Sequence, residues 1–156
     1  MRIFRTALMA VVDGLPVRID PADLQGKEAD RLLLTWEQRR WLRGRFTTEM
    51  GRMVGIALPT GTQIESGQIL WIGAEWYLTM EAAVESLLVI QPEDQQQAIL
   101  TAFEIGNLHF PLALDAHGIL VQDDSAMVQL LKRIGVRWER RRAAFQPAGK
   151  ARPHEA

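Results

Sequence analysis

Apolar and polar residues alternate at short range through the first half of the chain and recur at helical spacing through the second. Up to about Met80 the apolar runs are short: Arg2 to Val12, Leu32 to Thr35, Phe46 to Thr48, Arg52 to Leu58, Gln68 to Ile72 and Trp76 to Met80. Turn signals separate them, at Asp13-Gly14, Asp20-Pro21, Glu49-Met50-Gly51, Leu58-Pro59-Thr60-Gly61-Thr62, Ser66-Gly67 and Ile72-Gly73. Ile19 to Arg31 is polar and predicts a loop. Thr35 to Arg45 fits two descriptions. It reads as a helical turn, yet Arg39, Trp41, Arg43 and Arg45 alternate as an edge strand would. Six or so closely spaced strands predict a small open barrel or sandwich.

The period then changes. Ser86 to Ile90 is a continuous apolar strand, and Pro92-Glu93-Asp94 opens a helix. Ala98, Leu100, Thr101, Ala102 and Ile105 supply its apolar face, and Gly106-Asn107 a left-handed exit. His109 to Leu114 reads as a strand, Asp115-Ala116-His117-Gly118 as a hairpin turn and Ile119 to Gln122 as the returning strand. Asp124 or Ser125 caps a second helix carrying Met127, Leu130, Leu131 and Ile134; Gly135 stops it, and Val136 to Ala143 is a last strand. The order β-α-β-β-α-β is the split βαβ, or ferredoxin-like, pattern. The fold class expected is α+β. A β-rich N-terminal barrel or sandwich domain takes residues 1–82, a ferredoxin-like domain takes 83–147, and 148–156 form a flexible tail.

Composition narrows the chemistry. The 156 residues have 47% hydrophobic content and a net charge of −1, so a packed core is expected and charge alone would not hold nucleic acid. The charge is uneven: Lys132 to Arg152 contains eight basic residues and one acid, Glu139. With no cysteine, thiolate metal sites, disulfides and cysteine nucleophiles are excluded, which suits a cytoplasmic protein. No signal peptide is read in Met1 to Val12, and no 18-residue apolar run predicts a membrane span. A nucleophile elbow and a phosphate loop are both lacking, so an enzyme is not expected. Asp123-Asp124 reads as a helix cap before a cation site.

Two constellations remain. Trp36, Trp41, Trp71 and Trp76 beside Arg39, Arg40, Arg43 and Arg45 could stack bases and hold phosphate. Against this, Ile119 to Gln122 lacks the aromatic and basic residues of an RNA-binding sheet. The second set is His109, His117 and His154 with nearby carboxylates. His109 could be a metal ligand, a base or a satisfied core histidine; His117 could be a plain turn residue and His154 a plain tail residue. Imidazole and oxygen donors suit nickel, copper or zinc. One chain has too few histidines for a tight site, whereas a two-fold dimer would pair two copies of His109.

Gly106-Asn107-Leu108-His109-Phe110-Pro111-Leu112 resembles the Gly-Asn-Arg-His-x-Pro-Leu signature of the UreE urease accessory family of nickel metallochaperones. Leu32 to Arg45, Leu58 to Thr62 with Gly67-Gln68-Ile69-Leu70, and Leu130 to Pro147 are similar to further family segments in the same order. The resemblance implies a β-rich domain followed by a metal-binding, dimerising ferredoxin-like domain. It implies a homodimer with nickel at the interface on His109, joined by a C-terminal histidine, here His154. Zinc or copper is expected to substitute. The implied partners are the urease apoenzyme and its GTPase accessory protein, and the implied role is nickel delivery. The competing class is a non-metal peptide- or RNA-binding adaptor. Three features depart from the pattern. Leu108 replaces the arginine, and Asp123 and Ser125 fall where many members carry His-x-His. A histidine-rich tail is also missing. The resemblance therefore implies the interface site alone, without storage of several ions.

Overall fold

The computed structural model describes residues 7–147, and its contacts divide the chain into two compact units, the first ending at Ala82 and the second beginning at Ala83. The first unit holds two three-stranded sheets. One has the order β1-β4-β3, from β1 (Ala10–Val12), β3 (Arg43–Thr47) and β4 (Met53–Ala57); the other has the order β2-β6-β5, from β2 (Glu28–Leu34), β5 (Ile69–Ile72) and β6 (Trp76–Ala82). Alternate residues of both sheets, including Val12, Leu32, Leu34, Val54, Ile56, Leu70, Leu78 and Met80, form one core. A sheet with one apolar face must bury it, and two such faces meeting give the sandwich expected from the alternation.

β2 begins at Glu28, inside the segment expected to be a loop. Its polar residues are paired across the fold. The Arg31 guanidinium donates to both Glu49 oxygens at 2.6 and 2.8 Å and to Glu81 at 2.8 Å. Arg52 donates to Glu28 at 2.6 Å and to Asp30 at 3.0 Å, and lies 4.5 Å over the Trp76 ring. Asp30 is 1% exposed. Burial pushes its carboxyl pKa up, but donation from the Thr48 hydroxyl, Arg52 and the Met50 and Arg31 amides outweighs this and holds it below the ordinary value. A carboxylate lowered in this way stabilises the fold above the unfolded pKa, near 4, and loses that contribution as pH falls through the folded value. Asp30→Ala should cost about 3 kcal/mol at pH 7, since it strands buried donors. Urea unfolding followed by tryptophan fluorescence measures this in the first unit, which contains four of the five tryptophans. The gap from wild type should shrink by pH 3.

The stretch of two readings resolves into both. Thr35 and Gln38 form a capping box that starts α1 (Trp36–Arg40), and β3 follows. Arg39 is buried with its guanidinium 5.4 Å from the Trp36 ring, so it leaves the basic surface that its spacing suggested.

The second unit runs β7 (Val84–Gln91), α2 (Gln95–Asn107), β8 (Ala113–Asp115), β9 (Gly118–Gln122), α3 (Ser125–Ile134), β10 (Arg137–Ala144). All its strand pairs are antiparallel, in the order β10-β7-β9-β8. This is the ferredoxin-like arrangement. Leu88, Ile90, Ile119 and Val121 of the sheet pack with Ile105 of α2 and Met127, Leu130 and Leu131 of α3. Asp124 caps α3, and Gly135 ends it in a left-handed conformation (φ 79°). Gly118 (φ 140°) is required in the hairpin, because a Cβ there would lie 2.1 Å from the Ile90 carbonyl oxygen. Among the described residues no helix is long and apolar enough to cross a membrane.

Candidate metal site

His109 stands in the turn that leaves α2. The helix continues through Gly106 and Asn107, so the left-handed exit expected at those two residues lies further on. Leu108 is the cap residue, its N–H shared among the Glu104, Ile105 and Gly106 carbonyls. His109 is the left-handed residue, with φ 61°, and the one non-glycine at positive φ among the described residues. Its N–H donates to the Gly106 carbonyl at 3.0 Å, and Phe110 N–H donates to the Ile105 carbonyl at 3.4 Å. The strand expected from His109 starts only at Ala113, since the chain must first close the helix end. The imidazole is exposed, so the core-histidine alternative does not apply.

The helix leading to this turn is apolar on two sides. Thr101 and Ile105 are buried against the sheet. Ile99, Leu100 and Phe103 are 60%, 54% and 62% exposed, and Leu108 beside the histidine is 41% exposed. Leu100 thus lies outside the buried stripe in which its spacing placed it. The missed signal is the Ile99–Phe103 pair, four residues apart and on the far side of the helix from the Ala98–Thr101–Ile105 stripe. A helix apolar on two sides has a second surface to cover.

His117 is exposed in the β8–β9 turn, its N–H donating to the Asp115 carboxylate at 2.7 Å, as its plain turn reading has it. His154 lies outside the described residues. Asp123, where a ligand pair would fall, accepts from the Ser86 hydroxyl at 2.8 Å and from Arg140 at 3.0 Å, and so ties β7, β10 and the approach to α3 together. Ser125 opens α3. Among the described residues no three histidine, aspartate or glutamate side chains converge on a point that could hold an ion. Among the described residues one chain therefore offers two exposed imidazoles, His109 and His117, and no closed cage.

Family models for the N-terminal and C-terminal domains of the UreE urease accessory protein match residues 15–83 and 85–156. A UreE of Synechococcus sp. is 33% identical over 131 residues, which cover 84% of this chain and 83% of that protein. The chain belongs to the UreE family. A UreE of Lysinibacillus sphaericus is 28% identical over 82% of this chain and 86% of its own length. One of Cupriavidus necator is 27% identical over 78% of this chain but 63% of its own length. UreE proteins are accessory chaperones of urease maturation and not enzymes, and that role is the one the family assigns to this chain.

Proposed function

We propose that this chain carries nickel to apo-urease in the cytoplasm as a homodimer, with one His109 imidazole from each protomer on a shared metal. The observation that carries the reading is an exposed imidazole at the end of a helix whose uncovered apolar face ends six residues before it, at Phe103. An isologous interface repeats the same patch on both partners; with the two α2 helices side by side and parallel, covering Ile99, Leu100 and Phe103 with their own copies would bring the two His109 turns to one axis. Leu108, where the family motif has an arginine, adds an exposed apolar side chain beside His109. His154 is the further ligand, and the urease apoenzyme and its GTPase accessory protein are the receivers. Two nitrogen donors hold nickel, zinc or copper only partly, and open coordination positions suit a metal that must be handed on. Ligation needs neutral imidazole, so acidification releases the ion.

Calorimetric titration of the full chain with nickel tests this reading. The expected result is one tight ion per two chains at pH 7.5, with binding lost by pH 5. His154→Ala should weaken that binding about tenfold, less than the loss expected at His109, by removing a donor from each protomer while both His109 imidazoles stay in place. Absence of any saturable nickel, zinc or copper binding would instead leave a non-metal adaptor.

A further inference from the structure

We infer that the outer edge of β3 in the first unit is a docking site for an extended acidic segment of a partner protein. The proposal stands apart from the metal reading, because it uses neither His109 nor the second unit. β3 ends its sheet, and no strand pairs with its outer side among the described residues. The β3–β4 ladder is bracketed by Leu58 N–H to the Leu42 carbonyl at 3.1 Å and Thr48 N–H to the Arg52 carbonyl at 2.7 Å. Even-numbered residues therefore turn their backbone to β4. The N–H groups of Arg45 and Thr47, and the carbonyls of Arg43, Arg45 and Thr47, turn to the open side.

Charge selects what can pair there. Arg31, Arg39 and Arg52 are engaged within the fold, whereas Arg43 and Arg45 are exposed and make no ion pair among the described residues. They sit two apart and so project from one face of the strand. Trp41, at the entry to β3, is 68% exposed. Two arginines on an open edge repel the same edge of a second copy, which is how edges are protected from self-pairing. They attract a strand with acids at alternate positions, opposite or diagonal to the guanidinium groups. Main-chain bonds to the Arg45 and Thr47 groups would supply affinity, and the acids would supply selection.

The test uses the metal-free full chain and an acetylated, amidated octapeptide alternating glutamate and threonine. Binding is read by fluorescence anisotropy, and its location by amide shifts in NMR. The acidic peptide should bind and shift the Arg45 and Thr47 amides. A lysine–threonine peptide should bind at least tenfold more weakly. N-methylation of alternate peptide amides, which removes the ladder donors but keeps the charge, should also cost tenfold or more. Arg43→Glu with Arg45→Glu should abolish binding at an unchanged circular dichroism spectrum; if that pair misfolds, Arg43→Gln with Arg45→Gln should weaken it tenfold. The proposal is overturned if the wild-type chain fails to bind the acidic peptide. It is also overturned if the arginine variants bind normally, if shifts fall away from β3, or if an RNA oligonucleotide binds more tightly through the same arginines.

Discussion

His109→Ala should lower nickel affinity by about four orders of magnitude while leaving the proposed dimer intact. The estimate follows from symmetry: one substitution removes a ligand from each protomer. Structural metal sites with four ligands are worth about 10–16 kcal/mol, hence roughly 3 kcal/mol per ligand and about 6 kcal/mol for two. Each 1.4 kcal/mol is a factor of about ten in affinity. Calorimetry gives the affinity, and sedimentation gives the assembly state. A second variant separates binding from folding. His109 is held at φ 61°, which costs a side-chain-bearing residue about 1 kcal/mol relative to glycine. His109→Gly should therefore bind no better than His109→Ala, yet melt at or above the wild-type temperature when metal-free, by up to a few degrees. A positive-φ histidine whose removal stabilises the fold is kept for what its ring does. If both variants keep tight nickel binding, the site lies elsewhere; if His109→Gly destabilises the chain, the ring has a packing role.

The same residue shows what the sequence makes legible and what it hides. Gly106-Asn107 is a strong local signal for a helix end, and it misplaces the exit by two residues. Both residues are exposed, so the helix tolerates them, and the chain turns only at His109, ahead of Pro111. β2 was obscured for a different reason. Glu28, Asp30 and Arg31 read as loop polarity because their partners, Arg52, Thr48, Glu49 and Glu81, lie 18 to 50 residues away along the chain. Where the governing contacts are local, the reading carries over well. The Asp124 cap and the Gly135 stop stand directly beside the helix they bound. The βαββαβ order is legible for the same reason, since it rests on the change of period from two to 3.6. The exposed stripe of α2 was not legible, because spacing alone assigns apolar residues to a helix face without saying which of two faces meets the sheet.

Phe103→Glu should convert the proposed dimer to monomers and lose nickel with it. Phe103 is 62% exposed in the single chain, and covering a phenylalanine is worth about 2 kcal/mol. By symmetry the loss counts twice in an isologous interface, so truncation alone would weaken the dimer by about 4 kcal/mol, near a thousandfold. A carboxylate at each copy adds desolvation and like-charge repulsion, which carries the equilibrium to monomer at micromolar protein. The folded unit should not suffer, because the buried stripe of α2 is Thr101 and Ile105, on the other side of the helix. Sedimentation velocity should show a single chain, with unchanged far-ultraviolet circular dichroism. Nickel titration should then fail although His109 is present, since each imidazole has lost its counterpart. A monomer that still bound nickel tightly would show that one chain holds the ion without help. A dimer that survived the substitution would place the interface on a different surface, and the apolar face of α2 would need another partner.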